Sequence, residues 1–371
     1  MSDLAVAGPG GRTGRITFQK LQQISIFLLM LALCVFSSIQ IDTFFTWGNV
    51  VHNLLTNAAP WGIVACGMTL VMIGGGFDLS VASTTAVCSV VLVLVLRGLE
   101  PHGAAVAVPA AIGVTFVVGT FLGAINGLLI AYVGVNPFVV TLSTMLIYRG
   151  LALILTEGGQ AVTVPISLHG GLKWIFSEKV PILPGSAYTV PVPILLFLAV
   201  FCASYYVLRF TRYGHYVYAV GGNENASWLA GVNTSLVKAG TYAICGMTCT
   251  FAATIFMAQT TTATSASYRG DELLVIASVI VGGTPLGGGA GGVVATLNGL
   301  LLLNLIDNLL NQYEIRQDVR QVIQGLIILV VVTLDVLVKR GQHKALVRPL
   351  GAAYRFILRR RRSQAENKRD F

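Results

Sequence analysis

The chain has 371 residues, 55% of them hydrophobic and only 11% charged, and a net charge of +9. A soluble domain carries about 25% charged residues, so a water-soluble enzyme or binding module is excluded. Apolar runs recur that can each cross a hydrocarbon core about 30 Å thick, and backbone without water partners must be helical there.

In chain order, a short cytoplasmic segment (1–20) carries Arg12, Arg15 and Lys20. The first apolar run, Leu21 to Ile39, is too long for a signal-peptide core and has no small-residue cleavage site after it. It opens a transmembrane domain over 21–338, with spans expected at 21–39, 52–73, 80–96, 104–133, 138–155, 190–208, 239–258, 273–284, 290–310 and 321–338. A basic cytoplasmic tail follows over 339–371. The alternation of an outer-membrane barrel is missing. The fold class expected is an all-α integral membrane protein of about ten helices.

Charge sets the orientation. The first segment, the 209–238 loop and the tail together hold 17 of the 24 Lys and Arg residues, so both termini face the cytoplasm. The Arg-rich tail beside a final span reads as a contact with anionic lipid rather than nucleic acid. The loop 156–189, rich in Gly and Pro, faces the other side.

Two glycine breaks interrupt the apolar pattern. Gly74, Gly75 and Gly76 precede Asp78 and Ser80, and permit a sharp change of direction between helices. Asp78 and Ser80 either cap the third span or take part in substrate passage and gating. The second break holds Gly282 and Gly283, ahead of Thr284-Pro285; it lacks the Lys-Ser/Thr ending of a phosphate loop. Both breaks are expected to act as hinges.

The loop 209–238 is too long for a plain turn. Asn223 followed by Glu224 and Ala226 reads as a capped helix start, ended by Gly231. A helix that short is unstable alone in water, so it needs its own helix ends or a partner subunit to lie against. Within the spans, charges are costly and point to function, and Arg149 and Asp307 are the deepest. Asn304, Asp307, Asn308 and Asn311 follow helical spacing, and either line a polar cavity or pair helices. The tetrapeptide Asn-Gly-Leu-Leu occurs at Asn126 and again at Asn298, in spans of opposite direction, which suggests an inverted internal repeat. The six cysteines all lie in apolar runs and read as small buried hydrophobes; no residue set suggests a metal site or a catalytic group.

Taken together, Gly67-Met68-Thr69-Leu70-Val71 through Gly75-Gly76-Phe77-Asp78-Leu79-Ser80, the segment from Asn126-Gly127 to Pro137-Phe138-Val139-Val140-Thr141-Leu142, and Tyr218-Ala219-Val220-Gly221-Gly222-Asn223-Glu224-Asn225-Ala226 resemble the ribose/xylose/arabinose-type ABC permeases. The resemblance runs from about residue 50 to 338. It departs at His215, at Ser227-Trp228, at Ala82 and at Asp307, where that family commonly has Arg, Ala-Arg, Gly and Asn.

The resemblance implies a permease subunit that moves a sugar or other small polar solute, with a second permease copy as homodimer or heterodimer partner. It implies a periplasmic substrate-binding protein and cytoplasmic ABC ATPases that hold the ATP and Mg2+; no cofactor is expected in this chain. Tyr218, Gly221, Gly222, Asn223, Glu224, Ala226 and Gly231 would then couple to the ATPase. The alternative is an ion-coupled secondary transporter, for which Asp78 and Asp307 are the only plausible acids.

Overall fold

The computed structural model describes residues 27–176, 178–182 and 188–316, with scattered positions between 319 and 333. The expected cytoplasmic segment 1–20 and tail 339–371 lie outside the described residues, as does half of the tenth expected span. The described residues up to Arg316 form one compact unit, and those from 319 onward belong to a second.

Twelve α-helices are described in the first unit. Helix α1 covers Phe27–Gln40. A π-helical segment, Gly48–Leu55, runs straight into α2, Thr56–Ile73; α3 is Val81–Leu99, α4 Ala104–Ala131 and α5 Pro137–Leu155. The connection between α5 and the next long helix holds β1 (Val162–Thr163), α6 (Ile166–Phe176), β2 (Lys179–Pro181) and β3 (Thr189–Pro191). Then come α7 (Val192–Phe210), α8 (Arg212–Gly222), α9 (Glu224–Leu229), α10 (Thr234–Thr260), β4 (Thr262–Ala263), α11 (Asp271–Val281) and α12 (Val293–Gln312).

Seven helices are long and apolar enough to cross a membrane among the described residues. They match the expected spans from the second to the seventh, and the ninth. The eighth differs: α11 has 11 residues, about 16 Å at 1.5 Å per residue, roughly half of a hydrocarbon core. Glycines set its lower end, since the apolar run breaks at Gly282. The second span starts earlier than its apolar run because Gly48–Leu55 continues α2 upward as a π-helix.

Helices α2 and α10 form the centre, with α3 and α4 against them. Helix α2 is buried along nearly its whole length. The α4–α10 crossing is the tightest. Gly119, Gly123 and Gly127 repeat every four residues on one face of α4, and Cβ atoms there would run into Thr250, Tyr242, Gly246 and Ala239 of α10. This is the small-residue mode of association used where no hydrophobic drive separates helix from lipid. The peripheral helices α5 and α7 leave most of their apolar side chains exposed, with Leu146, Ile147, Ile154, Leu198 and Tyr206 all more than half exposed.

The chain gathers its breaks at one end. The turn 74–80, helices α8 and α9, and the segment 282–292 meet there. At the opposite end β1 pairs antiparallel with β4, and β2 pairs with β3. Helix α6 packs under this end through Leu168, Leu172 and Phe176.

Candidate functional site

Helix α9 forms because Asn223 offers its side-chain oxygen to the Ala226 N–H at 2.9 Å. Gly231, at φ +85°, turns the chain out of it. Glu224 in its first turn pairs with Lys238 of α10, and the Ser227 hydroxyl donates to the Asn223 carbonyl at 2.8 Å. The helix is thus fastened at its base. Its other face presents Trp228, 67% exposed, and Leu229, 78% exposed. These are the two large apolar side chains that the described helix leaves uncovered; of the two, Trp228 is also one of the departures from the family pattern.

Just before α9, helix α8 lies on the first glycine break. Thr211 caps α8 by accepting from the Gly214 N–H at 3.1 Å. Val217 and Val220 pack with Leu70 and Ile73 of α2. The Tyr218 hydroxyl donates to the Gly291 carbonyl at 2.9 Å, and burial pushes its pKa up, which keeps the proton on that donor. Gly221 and Gly222 lie against Ile73 and Gly289. A cleft of about 270 Å³ opens beside Tyr218, walled by Tyr205, Leu208, Gly283 and Gly291 to Ala295. Gly282 lets α11 approach the backbone of Ala295 and Thr296 in α12.

The turn 74–80 is braced from within. The Asp78 carboxylate accepts from the Ser80 N–H at 2.8 Å and the Ser80 hydroxyl at 2.6 Å. The bond closes a local turn before α3 and does not reach the first-turn donors of that helix. Asn126 of α4 donates to the Ser80 oxygen at 2.9 Å and lies 3.4 Å from the second carboxylate oxygen. Tyr148 of α5 donates to the Leu122 carbonyl at 2.8 Å and reaches the Asn126 oxygen at 3.3 Å. Tyr242 of α10 donates to the Phe77 carbonyl at 3.2 Å. Asp78, Ser80 and Asn126 are all buried. Burial pushes the Asp78 carboxyl up, and the Ser80 and Asn126 bonds pull it the other way.

The polar stripe on α12 divides. Asn308 exchanges amide bonds with Asn49 of the π-helical segment, 3.1 Å one way and 3.3 Å the other, and Gln312 donates to Asn308 at 3.0 Å. Asn304 donates back to the Leu300 carbonyl at 2.9 Å. Of the two readings of this stripe, helix pairing holds for Asn308. Asp307 instead stands near Asp271 at the start of α11. Arg149, the other deep charge, donates to the carbonyls of Ser265 and Ser267 at 2.8 and 2.6 Å. It fixes the loop that leads into α11.

The structure therefore joins Asp78, Ser80 and Asn126 in one buried network, and Tyr218, Gly221, Gly222, Gly74, Gly75 and Gly283 in a second cluster at the same end. Asn304, Asp307 and Asn308 lie apart from both. Among the described residues no group of His, Cys, Asp and Glu is placed to hold a metal ion.

The chain is 34% identical to the ribose import permease protein of Escherichia coli over 326 residues, 87% of this chain and 97% of that one. It is 33% identical to the ribose import permease protein of Bacillus subtilis, covering 85% and 93%, and 30% identical to the L-arabinose transport system permease protein of Escherichia coli, covering 90% and 97%. No solved structure matches. Residues 50–332 match the family described as branched-chain amino acid transport system / permease component, and with most of its length inside that match the chain belongs to this family.

Proposed function

We propose that the chain is the membrane-spanning permease subunit of a binding-protein-dependent ABC importer, and that it carries a sugar or sugar-like polar solute into the cytoplasm. The relatives named for ribose and L-arabinose favour a sugar over an amino acid. In this reading the chain crosses the inner membrane about ten times, with both termini in the cytoplasm and α4 and α12 as inverted counterparts. Gly127 and Gly299, the second residue of each Asn-Gly-Leu-Leu, support that pairing. Each allows its helix to touch the backbone of a neighbour, α10 and α11 respectively.

One observation carries the coupling role: α9 is capped and ion-paired at its base while Trp228 and Leu229 stand free. An ABC ATPase, holding ATP and Mg2+, docks on those two side chains. Tyr218, Gly221, Gly222, Asn223, Glu224, Ala226 and Gly231 shape and seat the helix rather than touch the partner. A second permease copy completes the path. The periplasmic binding protein meets the outer face around α6, where Ile166 is 87% and Trp174 72% exposed. Asp78, Ser80 and Asn126 brace the inner turn beside the solute path, and Gly74 to Gly76 with Gly282 and Gly283 let it move.

The test is co-expression with candidate ABC ATPase and periplasmic binding-protein subunits, followed by uptake of labelled D-ribose, D-allose and L-arabinose. The double variant Trp228→Ala, Leu229→Asp is expected to stay in the membrane but lose ATPase association and uptake. Wild-type uptake that stops when the proton gradient is collapsed, with ATP intact, would favour the ion-coupled alternative.

A further inference from the structure

Helix α8 ends at Gly222, one residue before the cap of α9, and here three chain segments meet with no side chain between them. The carbonyl of Ile73, the last residue of α2, accepts from the Gly289 N–H at 2.8 Å. A Cβ on Gly221 would strike that same carbonyl and lie 2.7 Å from the Gly289 nitrogen. Gly288 and Gly289 both have φ +73°, and Cβ atoms there would come within 2.7 Å of Gly75 and Gly222. The Tyr218 hydroxyl closes the junction on Gly291.

Side chains in a packed interface absorb small shifts by changing rotamer, and backbone laid on backbone has no such freedom. A displacement of α8 must move its neighbours or break the contact. The turn 73–76 leads into α3, and the segment 283–292 leads into α12.

We infer that Tyr218 and Gly289 are positioning residues for coupling, which tie the base of the docking helix to the 283–292 segment as well as to the 74–76 turn. The inference rests on the importer reading and extends it. Movement of α9 is passed to two outputs together, α3 through Gly75 and α12 through Gly289 and Gly291. The two glycine breaks, expected to act as hinges, are joined here: the Gly289 N–H of the second donates to the carbonyl of Ile73, the residue that leads into the first.

Three variants test this in the full complex with its ATPase, using labelled D-ribose, D-allose and L-arabinose together as probe. Tyr218→Phe removes only the bond to Gly291. Its ATP hydrolysis is expected to stay near wild type while uptake per ATP falls about fivefold, the worth of one hydrogen bond. Gly289→Ala is expected to fall further. Gly287→Ala, with nothing within 4 Å of the added methyl, is expected to behave as wild type. A normal ratio in Tyr218→Phe, or equal damage from Gly287→Ala, overturns the inference.

Hydrogen exchange on the chain alone separates this from failure of the importer reading. Tyr218→Phe is expected to speed exchange at 73–76 and 288–292 together, whether or not an ATPase binds. Faster exchange confined to 288–292 would show that the two breaks are not joined. A wild-type chain that binds no ATPase would sink the importer reading and leave the junction to be judged by exchange.

Discussion

Replacing Asp78 separates a structural brace from an ion-binding acid. The carboxylate accepts two good hydrogen bonds, from the Ser80 N–H and hydroxyl, and faces the Asn126 amide at 3.4 and 3.5 Å. Asp78→Asn keeps an oxygen for both Ser80 donors and removes a buried charge, so unfolding free energy is expected to change by less than about 1 kcal/mol. Asp78→Ala strands the Ser80 N–H and loosens Asn126. At about 1 to 3 kcal/mol for each buried group left unpaired, that variant is expected to lose about 2 to 4 kcal/mol. The assay is denaturant-induced unfolding in detergent micelles, paired with ATP-driven sugar uptake in proteoliposomes. A brace predicts that Asp78→Asn transports normally and Asp78→Ala does not. If Asp78→Asn is as stable as wild type yet transports nothing, the charge or proton itself is needed, and the argument for a brace is wrong.

Gly123→Val on α4 would drive a side chain into the Tyr242 carbonyl and the Gly246 backbone, and is expected to cost about 3 kcal/mol or more. Gly113→Ala, with open space around it, is expected to be neutral or to stabilise slightly in the same unfolding assay. Asn308→Leu removes the cross-helix partner of Asn49, which keeps its bonds to the Phe44 carbonyl and to Asn53, and is expected to cost about 1 kcal/mol in the same unfolding assay.

Length and hydropathy alone expose the long helices, because a run that must cross the bilayer has to be apolar throughout. The capped helix α9 was equally legible, since Asn223, Glu224 and Gly231 act within one turn of chain. The partners of Arg149 were not, because they are the carbonyls of Ser265 and Ser267, and backbone groups leave no residue-type signal. The junction at Ile73 was hidden for the same reason. The glycine run at 282–289 was visible, but not which of its members touch: Gly287 is open, while Gly288 and Gly289 are in contact. The repeat of Gly119, Gly123 and Gly127 was a signal available in the sequence and overlooked. Any side chain at Gly221 collides with Ile73, so loss of uptake in a Gly221→Asp variant would report a broken junction and not a lost partner.

The pairing of β1 with β4 has a consequence for biogenesis. Val162 pairs with Ala263, about a hundred residues later in the chain, and the glycine face of α4 finds its match on α10 at a similar separation. Domains emerge from the ribosome amino-terminal part first, at about 5–20 residues per second. Helices α2 to α7 therefore enter the bilayer several seconds before α10 arrives to fill the gap among them. During that interval Gly119, Gly123 and Gly127 face lipid or an assembly factor. The connection that carries β1 waits with that strand unpaired, so the arrival of α10 and β4 closes the centre of the molecule and this end of it together.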